Sequence, residues 1–171
     1  QASSRCGWGG GVMQQLVFIA LGSNLDDPQA QVKRGFAALA ALPDTSLLAQ
    51  SSLYRSAPVG YAEQPDFINA VAKIPTALSP QQLLQALLAI EHQYGRERTF
   101  QKAPRTPDLD VLLYGDLILH EVGLTIPHPH MHQRAFVLMP LLELQADCVI
   151  PAVGLATLAL QGCLDQSLER I

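Results

Sequence analysis

The chain has 171 residues, enough for one well-buried core and about one domain of the usual ~100–200 residues. Hydrophobic residues make up 49% of it and charged residues 15%, but no apolar run approaches the roughly 20 residues that a membrane-spanning helix needs, so a soluble globular protein with no membrane partner is expected, and the cysteine pattern points to a reducing cytoplasm. The net charge of −4 excludes a general attraction to nucleic acid, although four of the eleven Lys and Arg residues crowd between positions 96 and 105.

Residues 1–12, "QASSRCGWGGGV", have no apolar signal-peptide core and are expected to be a non-native or disordered extension, which places the folded domain at 13–171. Cys6, Cys148 and Cys163 are odd in number and lack a CxxC pair, arguing against a disulfide framework or a structural zinc. "QLVFIAL" (15–21) predicts a buried first strand stopped by Gly22. A helix should follow, with Asp27 as cap, Pro28 at its first position, Val32, Phe36 and Leu39 on one face, and Pro43 as its end. "TSLLAQSSLYRSAPVG" and "DFINAVAKIPT" predict two strands joined by a loop over 58–65. Ser79 and Pro80 open a second helix striped by Leu83, Leu87 and Ile90 and stopped by Gly95. "RERTFQKAP" (96–104) lacks periodicity and predicts an exposed, mobile loop leading to the strand "DLDVLLYG". A short hairpin (117–126), the turn "IPHPHMHQR", a helical "AFVLMPLLEL" and a C-terminal helix after Gly154 complete the chain. The order strand, helix, strand, strand, helix, strand predicts an α+β, ferredoxin-like βαββαβ core, with an antiparallel sheet and helices mainly on one face.

Side chains alternate across a strand, so Asp108 and Asp110 should share a face and repel each other unless a cation lies between them. Magnesium takes one or two protein carboxylates and fills its remaining positions with water and phosphate oxygens. Two solvated carboxylates at a strand end would explain the pair equally well. Arg96, Arg98, Lys102 and Arg105 immediately before it tip the balance toward a nucleotide triphosphate, because such cations neutralise polyphosphate. There is no GxxxxGK(S/T) motif, so side chains and metal must hold the phosphates. Phe67 and Asn69 share one strand face and offer a stacking plate and a hydrogen-bonding amide to a flat ligand, with Phe136 as a candidate opposing plate; core packing and strand-end capping are the alternative roles. His128, His130 and His132 alternate, but prolines flank His128 and no cysteine or carboxylate completes a metal set, so a phosphate contact by His128 and Arg134 is the simpler reading. "LGSN" is explained by capping of the first helix through Ser23, Asn24 or Asp27.

The segments "ALGSNL", "APVGYAEQPDFINAV", "APRTPDLDVLLYGD" and "IPHPHMHQRAFVLMPLLEL" together resemble the 6-hydroxymethyl-7,8-dihydropterin pyrophosphokinase family over about residues 15–165. The resemblance implies a ferredoxin-like fold, ATP and two magnesium ions, and transfer of pyrophosphate to the pterin's hydroxymethyl oxygen with release of AMP, a step of folate synthesis. It implies a monomer with ATP and 6-hydroxymethyl-7,8-dihydropterin as its partners and no nucleic acid. By motif, Asp108 and Asp110 match the magnesium ligands, and Arg96, Arg98 and Arg105 match loop arginines that engage the phosphates, Arg96 and Arg105 being counted with the aspartates as catalytic. His128 and Arg134 match further nucleotide contacts, Glu91 a helix acid near ATP, and Val111, Leu124 and Thr125 the adenine pocket. Phe67, Phe136 and Asn69 match the pterin site, which Ser56, Ala57 and Val59 also line. Two positions depart: Pro107 stands where the family usually has leucine, and "TFQKA" carries no tryptophan. An RNA-binding module of the same topology is the rival reading, opposed by the acidic net charge and the paired aspartates. A pterin-binding relative without activity is a third.

Overall fold

The computed structural model describes residues 14–24, 27–56, 66–96 and 108–171, and of 94–96 the backbone only. The extension 1–12, the loop 58–65 and the loop residues 97–104 lie outside the described residues. In chain order the elements are β1 (Gln15–Ser23), α1 (Pro28–Ala40), β2 (Ala49–Gln50), β3 (Tyr54–Ser56), β4 (Phe67–Thr76), α2 (Pro80–Arg96) and β5 (Asp108–Tyr114). There follow β6 (Leu119–Glu121), β7 (Leu124–Ile126), a 3-10 turn (Met131–Gln133), α3 (Ala135–Leu144), β8 (Val149–Ile150), β9 (Gly154–Leu155), α4 (Ala156–Gln161) and β10 (Leu168–Arg170).

The main sheet runs β10-β3-β4-β1-β5, with β2 also paired to β4, and every pairing is antiparallel. Alternation along the strands builds two cores. One face of the sheet turns Val17, Ile19 and Leu21 of β1 and Ile68, Ala70 and Ile74 of β4 toward α1 and α2. Those helices answer with Val32, Phe36, Leu39, Leu83, Leu87 and Ile90, the stripes predicted from their spacing. The opposite face turns Phe18, Val71 and Leu112 toward Met131, Leu138 and Leu141. Helices therefore cover both faces rather than mainly one, because the apolar "AFVLMPLLEL" must bury its own stripe and the α1/α2 face is already filled.

Local expectations hold for α1: Asp27 caps it, its Oδ1 accepting from the Ala30 N–H at 3.4 Å, and Pro28 occupies the first turn. Three boundaries differ. Gly22 does not stop β1, because both neighbouring strands pair at Gly22 and β4 carries the pairing on to Ser23. Gly95 does not end α2, which runs to Arg96. The segment read as one strand before position 58 is two short strands, since Ser51 Oγ accepts from the Val71 N–H at 2.9 Å and interrupts the ladder. Strand β10 has no counterpart in the sequence reading; it pairs with β3 as the sheet's far edge.

Candidate active site

The cleft opens where β1 ends and β4 and β5 begin, on the face covered by α3. Gly22 lies directly opposite Asn69 on one side and Asp108 on the other, so Asn69, Gly22 and Asp108 form a row across three strands. Strands are spaced about 4.8 Å apart, which sets the backbones of Asn69 and Asp108 roughly 10 Å apart across a glycine floor. A cavity of about 760 Å³ occupies this position. Asp108 and Asp110 line one side of it and Ser56, Phe67 and Asn69 the other. Arg134 and Phe136, from the start of α3, face it together with His128. Sequence parity thus places both predicted pairs, Asp108/Asp110 and Phe67/Asn69, on one face and in one cavity.

Each side chain has an identifiable restraint. The buried Asn69 donates from Nδ2 to Ser56 Oγ at 2.8 Å, which fixes its amide and leaves Oδ1 to accept from a ligand. The Arg134 guanidinium lies 5.7 Å from the Phe136 ring centre, a cation over an aromatic face. His128 Nδ1 accepts from the His130 N–H at 3.1 Å, so the neutral ring carries its proton on Nε2. Burial lowers the His128 pKa, against the Asp110 charge that raises it, and Arg134 and His130 lower it further.

Glu91, on α2, accepts from the Leu109 N–H at 2.8 Å and so grips the backbone between the two aspartates. Burial raises its pKa, the Leu109 bond pulls it down, and the charges of Asp108 and Asp110 raise it again. Asp108, exposed at the strand mouth but partly desolvated by its surroundings, is likewise raised, by that desolvation first and by Asp110 second. Three carboxylates at one strand mouth oppose one another, and this donor chemistry fits a hard divalent cation. Among the described residues no group of three or more His, Cys, Asp or Glu is arranged to hold a metal. Two carboxylates with the remaining positions left to water and ligand oxygens is magnesium's usual arrangement.

Val111, Leu124 and Thr125 line a second cavity of about 280 Å³, which shares Asp110 and His128 with the first. Arg98, Arg105, Ala57 and Val59 lie outside the described residues, as does the side chain of Arg96. Several lining residues have no site role in the sequence pattern, Gly22, Gln166 and Ser167 among them. Gly22 reads as the stop of the first strand, although its even spacing from Ala20 and Phe18 puts it on the cleft face. Gln166 and Ser167 reach the cavity from beyond α4, and no local signal marks them.

Two adjoining cavities that share a carboxylate and an imidazole form one divided cleft at the end of an antiparallel sheet. Residues 18–146 match the model of the family described as 7,8-dihydro-6-hydroxymethylpterin-pyrophosphokinase (HPPK). The chain is 44% identical over 154 residues to the 2-amino-4-hydroxy-6-hydroxymethyldihydropteridine pyrophosphokinase of Haemophilus influenzae, covering 90% of this chain and 96% of that protein. It is 45% identical over 159 residues to the protein of the same name from Pseudomonas aeruginosa, covering 93% and 98%. The chain belongs to the HPPK family. In fold it is similar to a crystal structure of Plasmodium falciparum HPPK-DHPS, with a TM-score of 0.67, 12% identity, and coverage of 86% of this chain. It spans only 45% of that longer chain, and 19% of the Pneumocystis carinii folic acid synthesis protein fol1, to which it is 40% identical.

Proposed function

We propose that this chain transfers the pyrophosphoryl group of ATP to the hydroxymethyl oxygen of 6-hydroxymethyl-7,8-dihydropterin, releasing AMP, as a step of folate biosynthesis. The observation that carries the reading is the shared cavity, in which Asp108 and Asp110 face Phe67, Asn69 and Phe136 across Gly22. A flat pterin fits between Phe67 and Phe136, with Asn69 Oδ1 accepting from the heterocycle's edge. The nucleotide takes the adjoining cavity, with adenine against Val111, Leu124 and Thr125. Its phosphates then lie toward Asp110 and His128, the residues common to both cavities.

Asp108 and Asp110 would hold magnesium, two ions in all, which supplies neutralisation of phosphate charge. His128 donates from Nε2 and Arg134 from its guanidinium to phosphate oxygens, the role that the family resemblance also gives to Arg96, Arg98 and Arg105. The pterin hydroxyl oxygen attacks the β-phosphorus and gives up its proton to solvent, the bond from that phosphorus to the oxygen bridging the α-phosphate breaks, and AMP departs. Positioning and charge are what the residues contribute, consistent with phosphoryl-transfer chemistry. The strand order β3-β4-β1-β5 with α1 and α2 on one face supports a ferredoxin-like core, and we assign the activity to residues 13–171 acting as a monomer. The test is AMP release from ATP with and without the pterin and magnesium. Pterin-dependent AMP formation that falls by orders of magnitude in Asp108→Ala is expected; near-normal release from that variant would sink the assignment.

A further inference from the structure

Arg134 and Phe136 reach the cleft from the first turn of α3, and Arg134 as its N-cap residue makes no side-chain capping bond. The segment is held instead by Gln166. Its Oε1 accepts from the Ala135 N–H at 2.8 Å and its Nε2 donates to the Gln133 carbonyl at 2.8 Å, so one amide grips the backbone on both sides of Arg134. Gln166 is itself anchored. Its N–H donates to the Cys163 carbonyl at 3.0 Å, and Cys163 is buried in the core beneath α3 and α4. The remaining backbone groups of Arg134 are satisfied locally, its N–H by the Met131 carbonyl and its carbonyl by the Val137 and Leu138 N–H groups.

We infer that Gln166 is a positioning residue for the transfer reaction, setting the Arg134 guanidinium and the Phe136 ring against the two ligands. The inference rests on the function proposed above and assigns a role in it to the segment after α4. A glutamine suits the task because the restraint needs a donor and an acceptor on one rigid plane, reaching a carbonyl and an N–H two residues apart. Without it, Arg134 remains present but is free to tilt with the end of the helix, and angstrom-scale misplacement of a positioning group can cost about 100-fold in rate.

Two variants separate positioning from stability. Gln166→Met keeps the side chain's bulk and removes both bonds. Gln166→Glu keeps the acceptor for the Ala135 N–H and gains a favourable charge at the start of α3, but turns a carboxylate oxygen toward the Gln133 carbonyl and so reverses that contact from attraction to repulsion. The matched control is Thr45→Ala, which removes the 2.6 Å bond to Thr76 at the opposite end of β4. Expected results are a drop of roughly 10- to 100-fold in kcat/KM for the pterin in Gln166→Met, and in Gln166→Glu a drop larger than its loss of Tm accounts for when set against Thr45→Ala. Thr45→Ala should lose Tm and keep kcat/KM. If the wild type forms AMP in a pterin-dependent way and both Gln166 variants match Thr45→Ala in activity, the inference is overturned. A wild type without that reaction would overturn the function assignment, and the inference would fall with it.

Discussion

Substituting Gly22 by alanine isolates the glycine floor. The backbone there is regular strand outside the left-handed region, so alanine is tolerated conformationally. Replacing a strand-interior glycine recovers about 0.5–1 kcal/mol of conformational entropy. Against this, the new Cβ would lie 3.3 Å from Asn69 Oδ1, a tight contact, and 3.7 Å from the Ile68 carbonyl oxygen, an ordinary one. The Asn69 amide must yield slightly, yet it is tied to Ser56 Oγ at 2.8 Å. The two stability effects are similar in size, so Tm should move by no more than about 2–4 °C. Function is affected more. The methyl projects into the cavity beside the one atom of Asn69 left to meet a ligand, and a strained or displaced hydrogen bond costs about 1–1.5 kcal/mol, or roughly tenfold in binding. Pterin titrations at saturating ATP, read by AMP release, should show a raised KM for the pterin with a nearly unchanged KM for ATP. An unaltered pterin KM in a folded Gly22→Ala protein would refute the assignment of Asn69 Oδ1 and of the floor.

Neutralising Asp108 should raise stability while removing activity. Its folded pKa is raised, so the group favours folding only below its unfolded pKa, an advantage lost as pH rises through the folded value; the charged form opposes folding at neutral pH, by a small amount because solvent screens this exposed side chain. Asp108→Asn in magnesium-free buffer should therefore melt higher than wild type, and a lower Tm would contradict the electrostatic account. Tyr54, buried and donating to Glu143 at 2.8 Å, has its pKa pushed from 10.0 up to about 12, first by burial and then by Glu143. Its contribution is complete below pH 10 and is lost as pH rises toward about 12, so Tyr54→Phe should flatten the alkaline limb of a urea-unfolding series. Burial would raise the Glu143 pKa, but the bonds from Tyr54 and Ser52, with Arg170 nearby, bring it below the usual carboxylate range. Glu143→Gln should thus cost about 1–2 kcal/mol at neutral pH, with the difference from wild type closing as pH falls through that depressed pKa. Leu87→Ala, at a buried contact of α2, should cost about 2–5 kcal/mol by chemical denaturation without changing kcat.

Much of the site was legible because it is written in period two. Phe67 with Asn69 and Asp108 with Asp110 each reveal a shared face from spacing alone, and the sheet's pairing then places the pairs side by side. The helices α1 and α2 were equally plain, since capping by Asp27 and the stripes Val32, Phe36, Leu39 and Leu83, Leu87, Ile90 are local patterns. What stayed hidden depends on contacts distant in sequence. Gly22 looked like a stop because glycine weakens strands, whereas pairing on both sides carries β1 through it. The grip of Gln166 on Gln133 and Ala135 spans more than 30 residues, and a glutamine near a chain end has no periodicity to betray it. Helix α3 is apolar around most of its circumference, so its pattern could not say which sheet face it would cover.

The same row of residues explains why the cleft is electrostatically costly before ligands arrive. Period two delivers Asp108 and Asp110 to one face at the shortest separation a strand allows, and Glu91 enters from beneath to hold the Leu109 N–H between them. Desolvation and mutual repulsion raise the pKa of Asp108 and Glu91, so the three carboxylates disfavour one another's charge. A more stable sequence would neutralise one of the three. Retaining them makes sense if the unfavourable term is removed on binding, when a cation and phosphates enter together, because an interaction that is poor in the free protein and good in the complex adds to the difference that drives assembly of the two ligands. The glycine floor serves the same end. It keeps the space between the carboxylates and the Asn69 pocket empty, so that the reacting groups can meet there rather than a side chain filling the gap.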